Sequence, residues 1–166
     1  MGKDKSKARN GIELVIPYAR GKLSTRSGEY EFYYPKGVRW GCKKCGACCR
    51  DASHRPRAVL LLPADGKRLE EAGEREFMVE VKGKEPFVAE MRKAGGACIY
   101  LTREGCRVYH DRALLCRMYP FSVEREERSL EVRVDTRCSG FGHGGELREE
   151  FYREMLIYAL EQRGED

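Results

Sequence analysis

Cysteine is the residue type in this chain best suited to chemistry, and its spacing is distinctive. Four of the eight cysteines fall in the run Cys42-x2-Cys45-x2-Cys48-Cys49. Three thiols at i, i+3 and i+6 in a glycine-containing loop can converge on one centre, and ferredoxins hold iron–sulfur clusters with such a run plus a distant fourth thiolate. Structural zinc more often takes paired C-x2-C arms. The spacing therefore favours an iron–sulfur cluster of the 4Fe-4S type, with zinc as the alternative.

Cys48 and Cys49 are adjacent, which affects how they can be used. In an extended segment neighbouring side chains point to opposite sides. We therefore expect Cys48 to serve the first centre while Cys49 faces a second centre or stays free. A free Cys49 would be the best candidate for an exposed catalytic cysteine.

The other four cysteines lie in or beside predicted turns and strand ends, where loops can bring them together. Their spacings match no zinc-finger pattern. The first site would use Cys42, Cys45 and Cys48 with Cys116 or Cys138, and a second would use Cys49, Cys98, Cys106 and the other of those two. One site with spare structural or redox cysteines is the alternative. The full set of candidate metal ligands is Cys42, Cys45, Cys48, Cys49, Cys98, Cys106, Cys116 and Cys138.

Disulfide bonds are the main alternative to metal binding. The N-terminus is charged and no apolar segment follows it, so we expect a cytoplasmic protein that does not cross a membrane. Thiols stay reduced there, which favours metal ligation. Charged residues make up 36% of the chain, whereas Asn10 is its only asparagine and Gln162 its only glutamine. This composition is thermophile-like, and thermophile proteins do carry cytosolic disulfides.

The charge of the chain is basic but mixed, with a formal net charge of +5 from 32 bases and 27 acids. It permits contact with nucleic acid without arguing for it, and a redox or protein partner is equally compatible. Four thiolates around a divalent ion carry a net charge of −2, which needs positive charge nearby. Bases within a few residues of a cysteine are Lys43, Lys44, Arg50, Arg107, Arg112, Arg117 and Arg137.

The three histidines, His54, His110 and His143, each lie near a cysteine. Eight cysteines already saturate two four-ligand sites, so we expect the histidines to lie at the surface or beside the ligands. His143, between glycines close to Cys138, is the one with the best claim to a ligand role.

The elements that must position the cysteines are short. Strands are predicted at 12–16, 30–34, 58–62, 77–81, 86–90 and 98–101, with turn-forming residues at 21–28. A helix is predicted from Pro63 to Ala72, and a helical turn over 108–118. Residues 121–124 and 130–135 alternate apolar and charged side chains and predict a hairpin.

The C-terminal part of the chain gives the clearest helix. Apolar positions Leu147, Phe151, Met155 and Ala159 recur every four residues over 146–162, and the glycine-rich segment 138–145 before it is predicted to be a loop. The sequence predicts an α+β fold. Residues 1–10 are expected to form a disordered basic tail, and residues 11–166 a single small domain with loops organised around the metal-binding cysteines.

Four ordered motifs resemble the YkgJ-type cysteine-cluster family (CxxCxxCC), a zinc- or iron-chelating domain. They are Trp40-Gly-Cys-Lys-Lys-Cys-Gly-Ala-Cys-Cys49, Cys98 to Tyr109, Asp111 to Phe121, and the glycine-rich block from Cys138 to Gly145. The resemblance covers about residues 38–146. The family usually has proline after the arginine of the third motif, where this chain has Ala113, but all eight cysteine positions are present.

The resemblance implies a metal-binding protein and leaves the metal open. Members of the family are described as iron–sulfur or zinc proteins, sometimes as oxidoreductases, and a related domain occurs in flagellin lysine methylases. The leading hypothesis is an iron–sulfur protein with an electron-transfer or cofactor role, either an oxidoreductase or part of a modifying enzyme. The alternative is a zinc-stabilised binding module that contacts nucleic acid or a protein partner.

Overall fold

The computed structural model describes residues 5–7, 13–53 and 56–165. The contacts divide the chain into two compact units: unit 1 is Met1–Lys43 with Tyr119–Asp166, and unit 2 is Lys44–Met118. The predicted tail at 1–10 lies outside the described residues except for Lys5–Lys7, which form a strand.

The described residues form short strands and three α-helices. The strands are β1 (Lys5–Lys7), β2 (Glu13–Val15), β3 (Tyr18–Thr25), β4 (Gly28–Pro35), β5 (Arg39–Trp40), β6 (Leu60–Leu61), β7 (Met78–Glu80), β8 (Ala89–Met91), β9 (Lys93–Ala94), β10 (Ala97–Cys98), β11 (Leu101–Thr102), β12 (Gly105–Cys106), β13 (Phe121–Glu126), β14 (Ser129–Val134) and β15 (Phe141–Glu146). The helices are α1 (Pro63–Glu71), α2 (Leu114–Met118) and α3 (Glu149–Arg163), and Ala47–Cys49 form a 3-10 helix. This mixture confirms the α+β class. None of the described helices is long and apolar enough to cross a membrane.

Unit 1 is built on a four-stranded sheet with the order β13-β14-β4-β3. β13 and β14 form the predicted antiparallel hairpin, and β3 and β4 form a second one. The two hairpins join through parallel pairing of β14 with β4, which sets Leu130 beside Phe32. Both of these residues are buried, so alternation along the strands places one apolar face on the core.

Helix α3 covers that core, as predicted, but of the four apolar positions named from the sequence only Ala159 is buried, and Leu147, Phe151 and Met155 pack at the edge of the core. Leu156 and Leu160 are buried, and Tyr152 is fully buried. The Tyr152 ring stacks on Tyr34 at 4.9 Å between centroids, and its hydroxyl donates to the Pro35 carbonyl at 3.1 Å. A buried aromatic residue stabilises a fold by about 2 kcal/mol or more, and the hydrogen bond avoids leaving its polar end unsatisfied.

The turn predicted at residues 21–28 is wrong for most of its length, because β3 continues to Thr25. Leu23 is buried in the core, which favours the extended conformation despite the small residues around it. Gly21 has a packing reason: a Cβ there would lie 2.4 Å from the Phe32 ring. The glycine therefore makes room for an aromatic residue on the neighbouring strand.

The glycine-rich loop predicted at residues 138–145 is also wrong over 141–145, because Phe141–Glu146 form strand β15 and pair with β5. The glycines allow two backbones to approach closely. A Cβ on Gly140 would lie 2.3 Å from the Gly41 carbonyl oxygen, and one on Gly144 would lie 2.7 Å from the Trp40 carbonyl oxygen. Composition alone suggested a loop because the partner strand was not visible in the sequence.

Unit 2 consists of shorter pieces. A three-stranded antiparallel sheet has the order β6-β8-β7, and two small hairpins are formed by β9 with β10 and by β11 with β12. Residues 98–101, predicted as one strand, are divided between the two hairpins, and the predicted helical segment 108–118 is helical only in α2. Apolar residues including Leu61, Leu69, Phe77 and Val108 form the core of this unit.

The close approach of β5 and β15 predicts the effect of one added methyl group. Gly140→Ala should lower the free energy of unfolding by about 2 kcal/mol, because the new Cβ meets a backbone carbonyl that cannot move aside. Gly145→Ala, five residues further along in β15, has nothing within 4 Å of its Cβ and should change stability little. Urea unfolding of both variants tests this, and equal losses would contradict it.

Candidate metal centre

Five cysteines of unit 2 lie together on four separate segments. Cys48 and Cys49 are in the 3-10 helix, Cys98 ends β10, Cys106 ends β12, and Cys116 is in α2. All five are half-buried, and the last three pack against the apolar core of the unit. We call these five residues the thiol cluster.

The two adjacent cysteines face the same side, contrary to the expectation from an extended backbone. The Sγ atoms of Cys48 and Cys49 are 4.0 Å apart. The 3-10 helix over Ala47–Cys49 is the reason, because successive side chains there are about 120° apart rather than opposite. Two thiolates on one tetrahedral zinc ion are about 3.8 Å apart, given Zn–S bonds of about 2.3 Å, so this pair has the spacing of two ligands.

The pKa values of the thiols show that these groups lie near one another. They also show that the negative charges of several thiolates would not be fully compensated by the protein. Burial raises the pKa of the Cys98 and Cys106 thiols, and it raises the pKa of Cys116 to about 12. Repulsion from the Cys48 thiolate also raises the pKa of each of these three. The hydrogen bond with Cys49 lowers the pKa of Cys48 to about 6 and raises that of Cys49. Only a cation can make several of these thiolates stable together.

Two arginines supply part of that positive charge. Arg57 and Arg112 both act to lower the pKa of Cys48; Arg57 also lowers that of Cys116, and Arg112 that of Cys106. Arg112 was among the bases that the sequence analysis placed near a cysteine. Arg57 was not, because it lies eight residues beyond the nearest cysteine along the chain and carries no local signal.

Other bases marked from the sequence are engaged elsewhere. Arg107 binds both oxygens of Glu74 at 2.8 and 2.7 Å, and Arg137 binds Asp135 at 2.8 Å. Arg117 donates from Nε to the Arg112 carbonyl at 3.1 Å. These three side chains stabilise local backbone and carboxylate groups.

Asp51 ties the first cysteine segment to the hairpin that carries Cys98. Its N–H donates to the Gly96 carbonyl at 2.7 Å. Its carboxylate accepts from Lys93 Nζ at 2.9 Å and from the Arg57 N–H at 2.6 Å. These contacts fix the segment after Cys49 against β9 and β10.

Gly46 permits the turn that opens the 3-10 helix. Its φ is +73°, and a Cβ there would lie 2.9 Å from the Leu101 side chain. The Cys49 N–H donates to the Gly46 carbonyl at 3.0 Å. Glycine is favoured because the position needs a left-handed backbone.

A fully buried carboxylate holds the helix that carries Cys116. Asp65 in α1 is 0% exposed, and its oxygens accept from the Leu114 N–H and the Leu62 N–H, both at 3.0 Å. It also binds Arg68 Nη2 at 2.5 Å, and Arg68 donates to the Arg112 carbonyl at 3.0 Å. Asp65 thus caps the N-termini of α1 and α2 together. The sequence predicted a helix starting at Pro63-Ala64-Asp65 but not this role of Asp65, although an aspartate two positions after a helix-starting proline is a visible capping signal.

The other three predicted ligands, Cys42, Cys45 and Cys138, are not among the five residues of the thiol cluster. Cys45 belongs to unit 2 and is exposed, whereas Cys42 and Cys138 belong to unit 1. In unit 1 they flank the contact between β5 and β15, where the Gly41 N–H donates to the Gly140 carbonyl at 3.2 Å. Their role as ligands stays a prediction.

No preformed metal site exists in the described parts of the chain, since no three His, Cys, Asp or Glu side chains stand in a ligating arrangement there. The thiols would therefore have to move closer together when a metal binds. They repel each other when ionised, and a bound cation would replace that repulsion with attraction to the metal. His54 lies outside the described residues, and His110 and His143 are exposed.

Thiols that approach one another from four segments, with guanidinium groups acting on them, are typical of a metal-binding cysteine protein. Residues 41–139 match the family CxxCxxCC, described as "Putative zinc- or iron-chelating domain". The match covers more than half of the chain, and the chain belongs to this family.

A similar protein occurs in an archaeon. The chain is 29% identical over 150 residues to the uncharacterized protein MJ0661 of Methanocaldococcus jannaschii, covering 85% of this chain and 81% of that one. No solved structure matches the chain.

The double cap by Asp65 predicts a loss of both stability and metal. Asp65→Ala leaves the Arg68 charge and two N–H groups without their acceptor, so unfolding should become easier by about 3 kcal/mol. Metal content per folded protein should also fall, because α2 positions Cys116.

Lys67→Ala is the matched control for this change. It removes an exposed ion pair with Glu71 at 3.8 Å on the same helix, which should matter by less than about 0.5 kcal/mol. Urea unfolding and metal analysis on the folded fraction give both readouts. A full metal load in Asp65→Ala would show that α2 does not depend on this carboxylate.

Proposed function

We propose that this protein holds an iron–sulfur cluster on the thiol cluster and serves as an electron carrier or as the cofactor subunit of a redox or modifying enzyme. The observation that supports this proposal most is the convergence of five thiols from four segments. One tetrahedral zinc ion uses only four thiolates, and the C-x2-C-x2-C spacing is typical of iron–sulfur proteins. Cys42, Cys45 and Cys138 enter the proposed ligand set on the sequence pattern alone.

The donor set fits such a group. The thiols are half-buried beside apolar residues, among them Tyr100 and Val108, which limit the access of water. Arg57 and Arg112 hold positive charge toward the sulfur atoms. When bound, an iron–sulfur cluster supplies reversible electron transfer at a potential set by charge, burial and hydrogen bonds to sulfur.

The zinc alternative has one observation of its own. The 4.0 Å distance between the Cys48 and Cys49 sulfur atoms suits two ligands of a single tetrahedral ion. In that case the metal would stabilise unit 2, and the protein would act as a binding module for nucleic acid or a protein partner through its basic surface.

Metal analysis separates the two proposals. After purification without oxygen, we expect iron and acid-labile sulfide in equal amounts, together with a brown chromophore in the visible spectrum. Zinc alone, with no colour, would reject the iron–sulfur proposal. A folded protein with no bound metal would reject both.

A single substitution tests whether the thiol cluster holds the metal. Cys98→Ser should lower the metal content and bleach the visible absorption, because a hydroxyl replaces a soft thiolate ligand. Ile99→Ser places the same side chain one residue further along, at a position that is 39% exposed, and should keep the metal. Equal metal content in the two variants would exclude Cys98 as a ligand.

A further inference from the structure

The hairpin of β9 and β10 brings the thiol cluster next to the surface of unit 2. Cys98, at the end of β10, is half-buried in the cluster, and the next residue, Ile99, is 39% exposed. The Ile99 N–H donates to the Arg92 carbonyl at 3.2 Å, so the hairpin stays paired just beyond Cys98. Five large hydrophobic residues are exposed in the described chain, and Ile99 alone among them is a sequence neighbour of a thiol-cluster cysteine. An exposed apolar residue thus adjoins a thiol that the proposed function assigns to the metal.

Two arginines flank β10 on opposite sides. Arg50 forms an isolated antiparallel bridge with Ala97, which pairs on its other side with Ala94. Arg92 lies on the β9 side, and its Nη1 donates to the Glu76 carbonyl at 2.9 Å. A carbonyl carries no net charge, so Arg92 keeps its full positive charge. Arg50 is exposed and forms no ion pair with a described carboxylate. β10 therefore has positive charge on both sides.

Charge is segregated along the chain of unit 2. Residues 44–57 and 92–118 contain the whole thiol cluster and have ten bases and three acids, whereas residues 58–91 have five bases and eight acids. An anionic metal centre would offset only part of the first surplus. A surface of one charge sign attracts partners of the opposite sign and repels those of the same sign. The segments around the thiol cluster therefore favour an acidic partner.

We propose that Ile99, Arg50 and Arg92 form a docking surface for an acidic one-electron carrier protein, which exchanges electrons with the metal centre past Cys98. The inference rests on the iron–sulfur function proposed above. One electron leaves the reduced cluster and reduces the carrier, or moves in the reverse direction, and no bond forms or breaks. Ile99 supplies the apolar centre of the contact and the arginines supply its charged rim, which is the anatomy of a small transient interface.

An acidic protein matches this surface better than a nucleic acid does. The Asp51 carboxylate binds Lys93 Nζ at 2.9 Å, so it withdraws a base from contact with phosphate and places a negative charge beside the hairpin. Tyr100, the aromatic residue that follows Ile99, is buried and cannot stack on a base.

Electron transfer to two carriers of opposite charge tests the docking surface. The probes are plastocyanin, an acidic blue-copper protein, and cytochrome c, a basic haem protein, each mixed with the reduced protein without oxygen. The measured quantity is the ratio of the plastocyanin rate constant to the cytochrome c rate constant. A change in the reduction potential of the cluster shifts both rates in the same direction, whereas a change in local charge shifts them in opposite directions. In the unchanged protein this ratio should fall as the salt concentration rises.

Substitutions at one position give effects of opposite sign. Ile99→Glu should lower the ratio by roughly fivefold and Ile99→Lys should raise it by a similar factor, while both keep the brown colour and the metal content. Arg50→Glu should act in the same direction as Ile99→Glu. Lys84→Glu, a charge reversal at an exposed position in the acidic stretch 58–91, is the control and should leave the ratio unchanged.

Several outcomes would overturn the docking surface. Equal ratios in Ile99→Glu and Ile99→Lys would do so, and so would a larger effect from Arg103→Glu, which would place the exchange at the hairpin of β11 and β12. Binding of a labelled single-stranded RNA that is lost in Arg50→Glu would assign the surface to nucleic acid. A colourless protein with zinc would reject the iron–sulfur function and the docking surface together, whereas a brown protein with insensitive ratios would reject the docking surface alone.

Discussion

Half-buried sulfur atoms that repel one another when ionised are the constraint on which unit 2 depends. Its strands are two or three residues long, and each contributes few backbone hydrogen bonds. A strand of that length is not stable by itself, so the segments need another connection. The thiol cluster joins four of them at one place. A cation bound there would turn repulsion among thiolates into attraction to a common centre, and the free energy of metal binding would become folding free energy for the unit.

Two carboxylates prepare this arrangement without a metal. Asp51 accepts from Lys93 and from the Arg57 N–H, and Asp65 accepts from the N–H of Leu114 and from Arg68. Each connects a cysteine-bearing segment to a distant part of the unit with charge-assisted hydrogen bonds, which are stronger than neutral ones. These contacts order the segments before a metal binds, so metal binding would cost less conformational entropy.

Periodic patterns in the sequence were enough to predict the hairpin at residues 121–134 and helix α3, because alternation and a 3.6-residue repeat are local signals. The family and the metal-binding class could also be predicted from cysteine order. β15 could not, because its glycines are explained by the carbonyl groups of Trp40 and Gly41 on a strand about a hundred residues away. The orientation of Cys49 was missed for a local reason, since a three-residue 3-10 turn has too short a pattern to detect. Arg57 acts through the folded chain, and only its contacts show its role. Asp65 carries a local capping signal, but its hydrogen bond with Leu114 depends on the fold.

The contact between Cys48 and Cys49 bears on how five thiols could serve one centre. A 4.0 Å separation suits two ligands of one ion, but it also suits a neutral thiol that donates a hydrogen bond to a ligating thiolate. Without a cation, the hydrogen bond between the two thiols lowers the pKa of Cys48 and raises that of Cys49, and a bound cation would lower the pKa of any thiol that ligates it. In the second arrangement, the thiol cluster would offer one ligand from each of its four segments: Cys48, Cys98, Cys106 and Cys116. Hydrogen bonds to ligand sulfur raise the reduction potential of an iron–sulfur cluster by stabilising its more negative state. In that arrangement a protonated Cys49 would tune the proposed iron–sulfur centre without occupying a coordination position, and in a zinc site the same hydrogen bond would stabilise the Cys48 thiolate.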